Sequence, residues 1–249
     1  AGLFVGVISD PGEGFAYEFV GFDADGHQRS WRDAYAFSRF AFGADDAAKF
    51  AQGSHTRLYD KLGAHVLRVQ QVSGVRFAVW APKAERVSVV GSFNHWDGRC
   101  HPMQRHQGSG IWEIFIPGAG EGDLYKYEIR APGGGTFLKS DPFAFRSESP
   151  PNTASIVHDI DWGHGWLDAR WPRDRAKMPG FAIYPLDLDA TSLAALVSEG
   201  ALRRIAADGY THVELTSQAP GLWGSTSLFA PGSAQGMPED LMEFVDLSH

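Results

Sequence analysis

Four runs between Val75 and Arg130 alternate every second residue, and that period constrains this chain more than any other feature. Val75, Phe77 and Val79 alternate with Arg76, Ala78 and Trp80, and Val87, Val89 and Gly91 with Ser88 and Val90. Trp112, Ile114 and Ile116 alternate with Glu113 and Phe115, and Tyr125, Tyr127 and Ile129 with Lys126, Glu128 and Arg130. Successive side chains on a strand point to opposite faces, so the period predicts strands with one face in a core and one in water. Turn clusters divide the runs: Ala81-Pro82-Lys83, His106 to Gly110, Gly118 to Gly122 and Pro132 to Gly135. Such residues supply the backbone angles that tight turns require. Short strands at this spacing predict a small all-β sandwich. Composition agrees, since 29 of 249 residues are glycine, above the roughly 7% that is typical. The 8 tryptophans admit two readings, core fillers or flat faces on which pyranose rings stack.

An internal repeat extends the pattern, since residues 2–37 align without gaps on 110–145. Gly12-Glu13-Gly14 meets Gly120-Glu121-Gly122, Tyr17 meets Tyr125, Gly26 meets Gly134, and Asp33 and Phe37 meet Asp141 and Phe145. Two sandwiches of one type in tandem are therefore expected. The second has a further front portion, 75–109, for which the first has no room after Ala1. Half a sandwich would expose its inner face and unpaired strand edges.

Beyond about residue 160 the pattern changes. Asp161 to Lys177 reads as a linker. Phe181 to Tyr184 and Thr211 to Leu215 are strand-like. Ser192 to Asp208 reads as one helix stopped by Gly209, and Pro238 to Ser248 as another, with Pro238 at its first position and Glu239 and Asp240 in its first turn. Strand, helix, strand, helix opens a parallel α/β unit. The expected class is mainly β: tandem immunoglobulin-like β-sandwiches, the first incomplete, followed by the start of a (β/α)8 barrel. The expected divisions are 1–52, 53–160, a linker over 161–180, and 181–249.

The formal net charge is −8, which argues against a nucleic-acid partner, since those are met by basic stripes. No run reaches about 18 apolar residues, so no membrane partner is expected. One cysteine, Cys100, and no secretory signal pattern fit a reducing, cytoplasmic setting. Gly118 to Gly122 precedes a strand rather than a helix, so it reads as a turn and not a phosphate loop. His95, His101 and His106 with Asp97 lack zinc-like spacing, and Cys100 has no activating neighbour. No metal and no cofactor are expected.

Thr56 to His65, reading TRLYDKLGAH, resembles the entry segment of bacterial 1,4-α-glucan (glycogen) branching enzymes of the glycoside hydrolase family 13 type. Gly74 to Pro82, Val87 to Gly98 with its Phe93-Asn94-His95-Trp96, Trp112 to Pro117 and Leu124 to Ile129 resemble their family-48 carbohydrate-binding module. Leu138 to Pro142 and Pro150 to Ser155 complete that resemblance. Debranching enzymes and trehalohydrolases also carry such a module, but Thr56 to His65 points to branching enzymes. The likeness is looser afterwards. Ile183 to Ala190 stands where the first barrel strand of the family would be, with Pro185 in an unusual place for a central strand. Trp223 to Pro231 resembles a shortened form of a family segment and lacks the Tyr and Gln that in the family help hold the donor sugar.

The resemblance implies retaining transglycosylation, in which α-1,4 chains are moved to 6-hydroxyls by a carboxylate nucleophile and a carboxyl acid/base. In the family these groups sit on later barrel strands, so no catalytic residue is assigned here and the isolated chain is expected to be inactive. Asp187, Asp189 and Glu214 match none of those positions. The implied partner is α-glucan, glycogen or amylose, with a monomer expected for the full-length enzyme. The implied carbohydrate-binding residues are Trp96, Lys126, Asn152 and Thr153. Each keeps a plainer alternative: Trp96 packed under its loop, Lys126 a solvated strand residue, Asn152-Thr153 only a turn. Leu138 stands where strong glycogen binders have a second stacking aromatic, so weak binding is implied. The alternative function is a noncatalytic α-glucan-binding protein or a decayed barrel relative.

Overall fold

The alternating runs form the two sheets of a β-sandwich. The computed structural model describes residues 17–37, 42–160, 165–167, 180–198, 200–216 and 227–249. One sheet is ordered β3 (Gly63–Val69), β4 (Val72–Trp80), β7 (Ile111–Pro117), β6 (Gln104–Arg105). The other pairs β5 (Arg86–Gly91) with β8 (Leu124–Arg130). On the far edge of β8, β9 (Thr136–Lys139) and β11 (Ser155–Ile156) pair in succession, and β10 (Arg146–Ser147) lies outside β11. Every pairing is antiparallel. Val75, Phe77 and Val79 meet Val87, Val89, Trp112, Ile114, Ile116, Tyr125 and Tyr127 in one buried cluster. That is the inward set expected from the period.

The outward set differs from the expectation of a watery face. On β7 every residue from Ile111 to Ile116 is buried. A second cluster, Phe42, Leu62, Ala78 and Ile111 with Phe50, Leu58 and Phe143, covers the outside of the β3–β4–β7 sheet. Helix α1 (Ala44–Ala51) contributes Phe50, and Phe37 meets Phe115 edge-on at 4.8 Å between centroids. Ala78 and Phe115 are themselves apolar, so burying their face removes more apolar surface from water. Glu113 is the polar residue trapped there, 1% exposed, and its carboxylate accepts the Phe42 N–H at 3.4 Å.

The repeat has a geometric counterpart. Strands β1 (Phe19–Phe22) and β2 (Gln28–Trp31) pair with the register Phe19↔Trp31, Val20↔Ser30, Gly21↔Arg29, Phe22↔Gln28. The aligned residues of β8 and β9 pair as Tyr127↔Lys139, Glu128↔Leu138, Ile129↔Phe137, Arg130↔Thr136. The Tyr17 hydroxyl donates to Asp33 Oδ1 at 2.7 Å, and its counterpart Tyr125 donates to Asp141 Oδ2 at 2.7 Å. The Tyr35 N–H donates to Asp33 and the Phe143 N–H to Asp141 in the same way. Among the described residues β1 and β2 pair with no other strand, and Phe19, Val20, Phe22 and Trp31 are exposed. The Gly2 to Gly14 part of the repeat lies outside the described residues.

Downstream, β12 (Ile183–Asp187) pairs parallel with β13 (His212–Thr216), and Pro185 stands in β12 opposite Glu214. The single helix expected over 192–208 is two, α2 (Leu193–Ser198) and α3 (Ala201–Ala207). The break falls at Gly200, whose φ of +64° lies outside helical space and is tolerated because glycine lacks a Cβ. Helix α4 (Pro238–Ser248) adds Phe244 to a core of Leu186, Leu188, Leu193, Leu196 and Ile205. Of Trp223 to Pro231, residues 223–226 lie outside the described residues. The rest docks on the sandwich: the Leu228 N–H donates to Pro142 O at 2.9 Å, and the Phe229 ring stacks on Phe143 and meets Tyr59. The Ser227 hydroxyl donates to the carbonyls of Pro142 and Ala144. Most of the expected linker, 161–164 and 168–179, is also outside the described residues.

Candidate functional site

The outer face of the β5–β8 sheet and the loops beside it carry the sequence-derived residues. Cross-strand partners share a face, which places Val90 with Lys126 and Ser88 with Glu128 and Leu138. A loop from Ser92 to His101 folds over part of this face. Gly98 lies so close that a Cβ there would come within 2.2 Å of Glu128 Oε1. Beneath the loop, Ser88 and Val90 are buried, while Leu138 remains 55% exposed.

Asn94 shapes this loop. It is 5% exposed, its Oδ1 accepts the Gly91 N–H at 2.8 Å, and its Nδ2 donates to Val89 O and to His101 Nδ1, each at 2.9 Å. These bonds hold the chain while His95 and Trp96 both take the left-handed conformation, with φ of 55° and 61°. Non-glycine residues there are strained and persist only where the surroundings fix them. The Trp96 N–H closes the turn on Gly91 O at 3.1 Å. Trp96 is 41% exposed. Asp97 is chelated by Arg99 through its N–H, Nε and Nη2, which holds its carboxyl down at about 2.

Lys126 and Thr153, far apart in sequence, are joined: Nζ donates to Thr153 Oγ1 at 2.7 Å. Asn152, one residue earlier, is exposed, and its Nδ2 reaches back to Glu148 Oε1 at 3.4 Å. Glu148 also accepts the Ala154 N–H at 3.1 Å and donates its own N–H to Ala154 O, so it closes the 148–154 loop. The Ser140 hydroxyl donates to Thr153 O and ties that loop to the end of β9. Three of the four residues, Lys126, Asn152 and Thr153, therefore stand together. Trp96 stands on the loop that grows from the neighbouring strand.

Below them lies a buried polar hub. Asp141 is fully buried and accepts from the hydroxyls of Tyr125 at 2.7 Å and Tyr127 at 3.0 Å and from the Phe143 N–H at 2.8 Å. Its own N–H donates to Ser155 Oγ at 2.9 Å. Burial pushes its carboxyl up to about 6, against the pull of those three donors. The hub fixes β8 against the chain that carries Thr153. Asn94, Glu148 and Asp141 were not singled out from the sequence. Only the Asp141-Pro142 pair and the Phe-Asn-x-Trp motif carried a signal.

The remaining titratable groups do other things. His101 is an acceptor for Asn94, and burial pulls its pKa down. His106 Nδ1 lies 3.1 Å from the Ser109 hydroxyl. Asp23, Asp25 and His27 lie close enough to share an ion, but Asp23 Oδ1 already accepts the N–H groups of Asp25 and His27 as an ordinary turn. Cys100 is exposed and free. Among the described residues no helix is long and apolar enough to cross a membrane.

Residues 61–144 match the family model of carbohydrate-binding module 48, the isoamylase N-terminal domain. The chain is 42% identical over 266 residues to the 1,4-alpha-glucan branching enzyme of Thermosynechococcus vestitus, covering 90% of this chain and 34% of that protein. It is 42% identical over 271 residues to the one from Cereibacter sphaeroides, covering 100% of this chain and 35% of that protein. With the one from Pseudomonas aeruginosa it shares 43% identity over 243 residues, 90% of this chain and 33% of that protein. The chain thus spans about a third of the length of the curated relatives it matches. Apo pullulanase from Klebsiella pneumoniae is similar with a TM-score of 0.47 and 24% identity, over 69% of this chain and 21% of that chain.

Proposed function

We propose, proceeding from a chain that is a relative of the bacterial 1,4-alpha-glucan branching enzymes and carries a carbohydrate-binding module of family 48, that the outer β5–β8 face binds α-glucan. The indole of Trp96 offers a flat apolar surface to the C–H face of a glucose ring. Lys126, Thr153 and Asn152 offer a cation, a hydroxyl and an amide to the sugar hydroxyls at its rim. The observation that carries the reading is the joining of Lys126 to Thr153 beside a loop that leaves Trp96 half exposed. Leu138, which shares that face, adds apolar contact but no second stacking ring, which makes the affinity weak.

The whole protein to which such a module belongs would transfer α-1,4 chains to form α-1,6 branches in glycogen synthesis, in the cytoplasm and as a monomer. None of its catalytic carboxylates is assigned to this chain. The matching registers of β1–β2 and β8–β9 support a first sandwich of the same type as the second. The parallel β12–β13 pair with its helices supports the opening of a (β/α)8 barrel. On this reading the divisions fall at 1–52, 53–160, 161–180 and 181–249.

The test is retardation of the 249-residue protein in a native gel containing glycogen. The wild type should be retarded, and Trp96→Ala should weaken binding about tenfold, the equivalent of roughly 1.4 kcal/mol. Lys126→Ala should weaken it less, by about threefold. Equal retardation of the wild type and Trp96→Ala would reject this site. No retardation of the wild type would reject glucan binding itself.

A further inference from the structure

We propose that His158 is a proton-operated latch between the sandwich and the C-terminal α/β segment. His158 follows β11 and is 8% exposed. Its Nδ1 lies 3.0 Å from Glu121 Oε1, on the turn between β7 and β8. Its Nε2 lies 2.7 Å from Glu239 Oε1, in the first turn of α4. One imidazole thus bridges two parts of the chain through two carboxylates.

Both carboxylates have a further neighbour besides the ring. Glu239 sits at the N-terminal end of α4, where the helix dipole favours negative charge. Glu121 also accepts the Asp159 N–H through Oε2 at 2.5 Å, and a backbone donor stabilises an ionised carboxyl. The ring must therefore donate at both nitrogens while the contact is closed, which requires the doubly protonated imidazolium. A neutral ring has one N–H and one lone pair, and that lone pair would face a carboxylate oxygen. The charged groups beside the ring in the chain and on its two partner segments are acidic, Glu121 and Asp123 on the turn, Asp159 next to it, and Glu239 and Asp240 on α4, while Arg146 on β10 lines the same cavity as Met237 and Pro238 at the start of α4.

Loss of one proton turns one of the two contacts from attraction to repulsion and frees the first turn of α4 from the β7–β8 turn. The Ser227 and Phe229 contacts with Pro142, Ala144 and Phe143 do not involve this ring and stay closed. The latch therefore loosens one side of the junction, with acid closing it and base opening it.

The test uses the full 249-residue protein between pH 5.5 and 8.5. Amide hydrogen exchange of residues 157–160 and 238–242 is measured and corrected for the pH dependence of chemical exchange. Protection should fall about tenfold across the range in the wild type and stay flat in Glu239→Gln. A second measurement needs no variant: the ring nitrogen resonances of His158 should show two protonated nitrogens at the acid end, and loss of one proton should coincide with the loss of protection. Flat protection in the wild type, an unchanged pH dependence in Glu239→Gln, or proton loss without loss of protection would each overturn the latch.

Discussion

Asp141→Ala should destabilise the sandwich by at least about 3 kcal/mol in urea unfolding. The side chain is the shared acceptor for two fully buried tyrosine hydroxyls and the Phe143 N–H. Each buried donor left without a partner forfeits about 1–3 kcal/mol. The Tyr127 hydroxyl has a second acceptor within reach, Ala78 O at 3.3 Å, and the Tyr125 hydroxyl a second partner in the Ser155 side chain, so both losses are partly offset. Against a domain stability of roughly 5–15 kcal/mol, the change leaves little margin. Asp141→Asn keeps one acceptor for the Phe143 N–H and should cost less.

The same residue fixes a pH dependence whose sign is opposite to that of a paired surface carboxylate. Its folded-state pKa is about 6, above the ordinary aspartate value near 3.9. Between those two values the folded protein holds a proton that the unfolded chain has lost. Stability is therefore highest below about pH 4 as far as this group is concerned, and it falls as the pH rises to about 6. The shift of roughly two units corresponds to about 3 kcal/mol. Asp141→Asn, which does not titrate, should remove that slope. A slope between pH 4 and 6 that is unchanged in Asp141→Asn would assign it to another group.

Gly91→Ala should be nearly as damaging, about 3 kcal/mol, and should also abolish retardation in glycogen gels. A Cβ at this position would lie 2.2 Å from the Leu124 carbonyl oxygen and 2.8 Å from the Phe93 ring. The ring can rotate, but the carbonyl belongs to the backbone of the next strand and moves only if the sheet does. Overpacking of this kind costs typically about 1–3 kcal/mol, and more where backbone must shift. The consequence for binding follows from the local bonds. Gly91 donates to Asn94 and accepts from the Trp96 N–H, so displacing it displaces the ring that faces the sugar. Gly120→Ala serves as the comparison, since a Cβ there meets nothing within 4 Å and φ is not positive. It should change stability by less than about 0.5 kcal/mol.

The inward face of the sandwich was legible because alternation is a local property. Val75, Phe77 and Val79 declare their common face without reference to any other strand. The repeat was legible for a related reason, since Tyr17 and Asp33 stand at the same separation as Tyr125 and Asp141, and the same bond forms twice. The covered outer face was not legible. Phe42, Phe50 and Leu58 come from a helix and loops upstream of β3, and nothing local to β7 says what will lie on Phe115. Gly200 broke a helix that the apolar spacing of 192–208 read as continuous, because periodicity ignores a single residue that prefers left-handed space.

The site was half legible. Trp96, Lys126, Asn152 and Thr153 were named through resemblance, and the contact between Lys126 and Thr153 gives two of them a common place. Asn94 and Glu148 escaped because a short polar side chain in a loop looks the same whether it is solvated or closing a turn. Asp141 escaped because its role lies in partners on β8, 14 and 16 residues upstream.

The sheathing of the β3–β4–β7 sheet also bears on where this polypeptide can be cut. A piece trimmed to residues 61–144 keeps β3 to β9 but discards Phe37, Phe42, Phe50 and Leu58 on one side and Ser155 and Val157 on the other. It would present Phe115, Ala78 and Ile111 to water as a sticky plane, and it would lose β11 from the edge of β8. The shortest excision that retains both coats runs from Ala34 to Ile160, which exceeds the stretch matched by the family model by about twenty-five residues at one end and fifteen at the other.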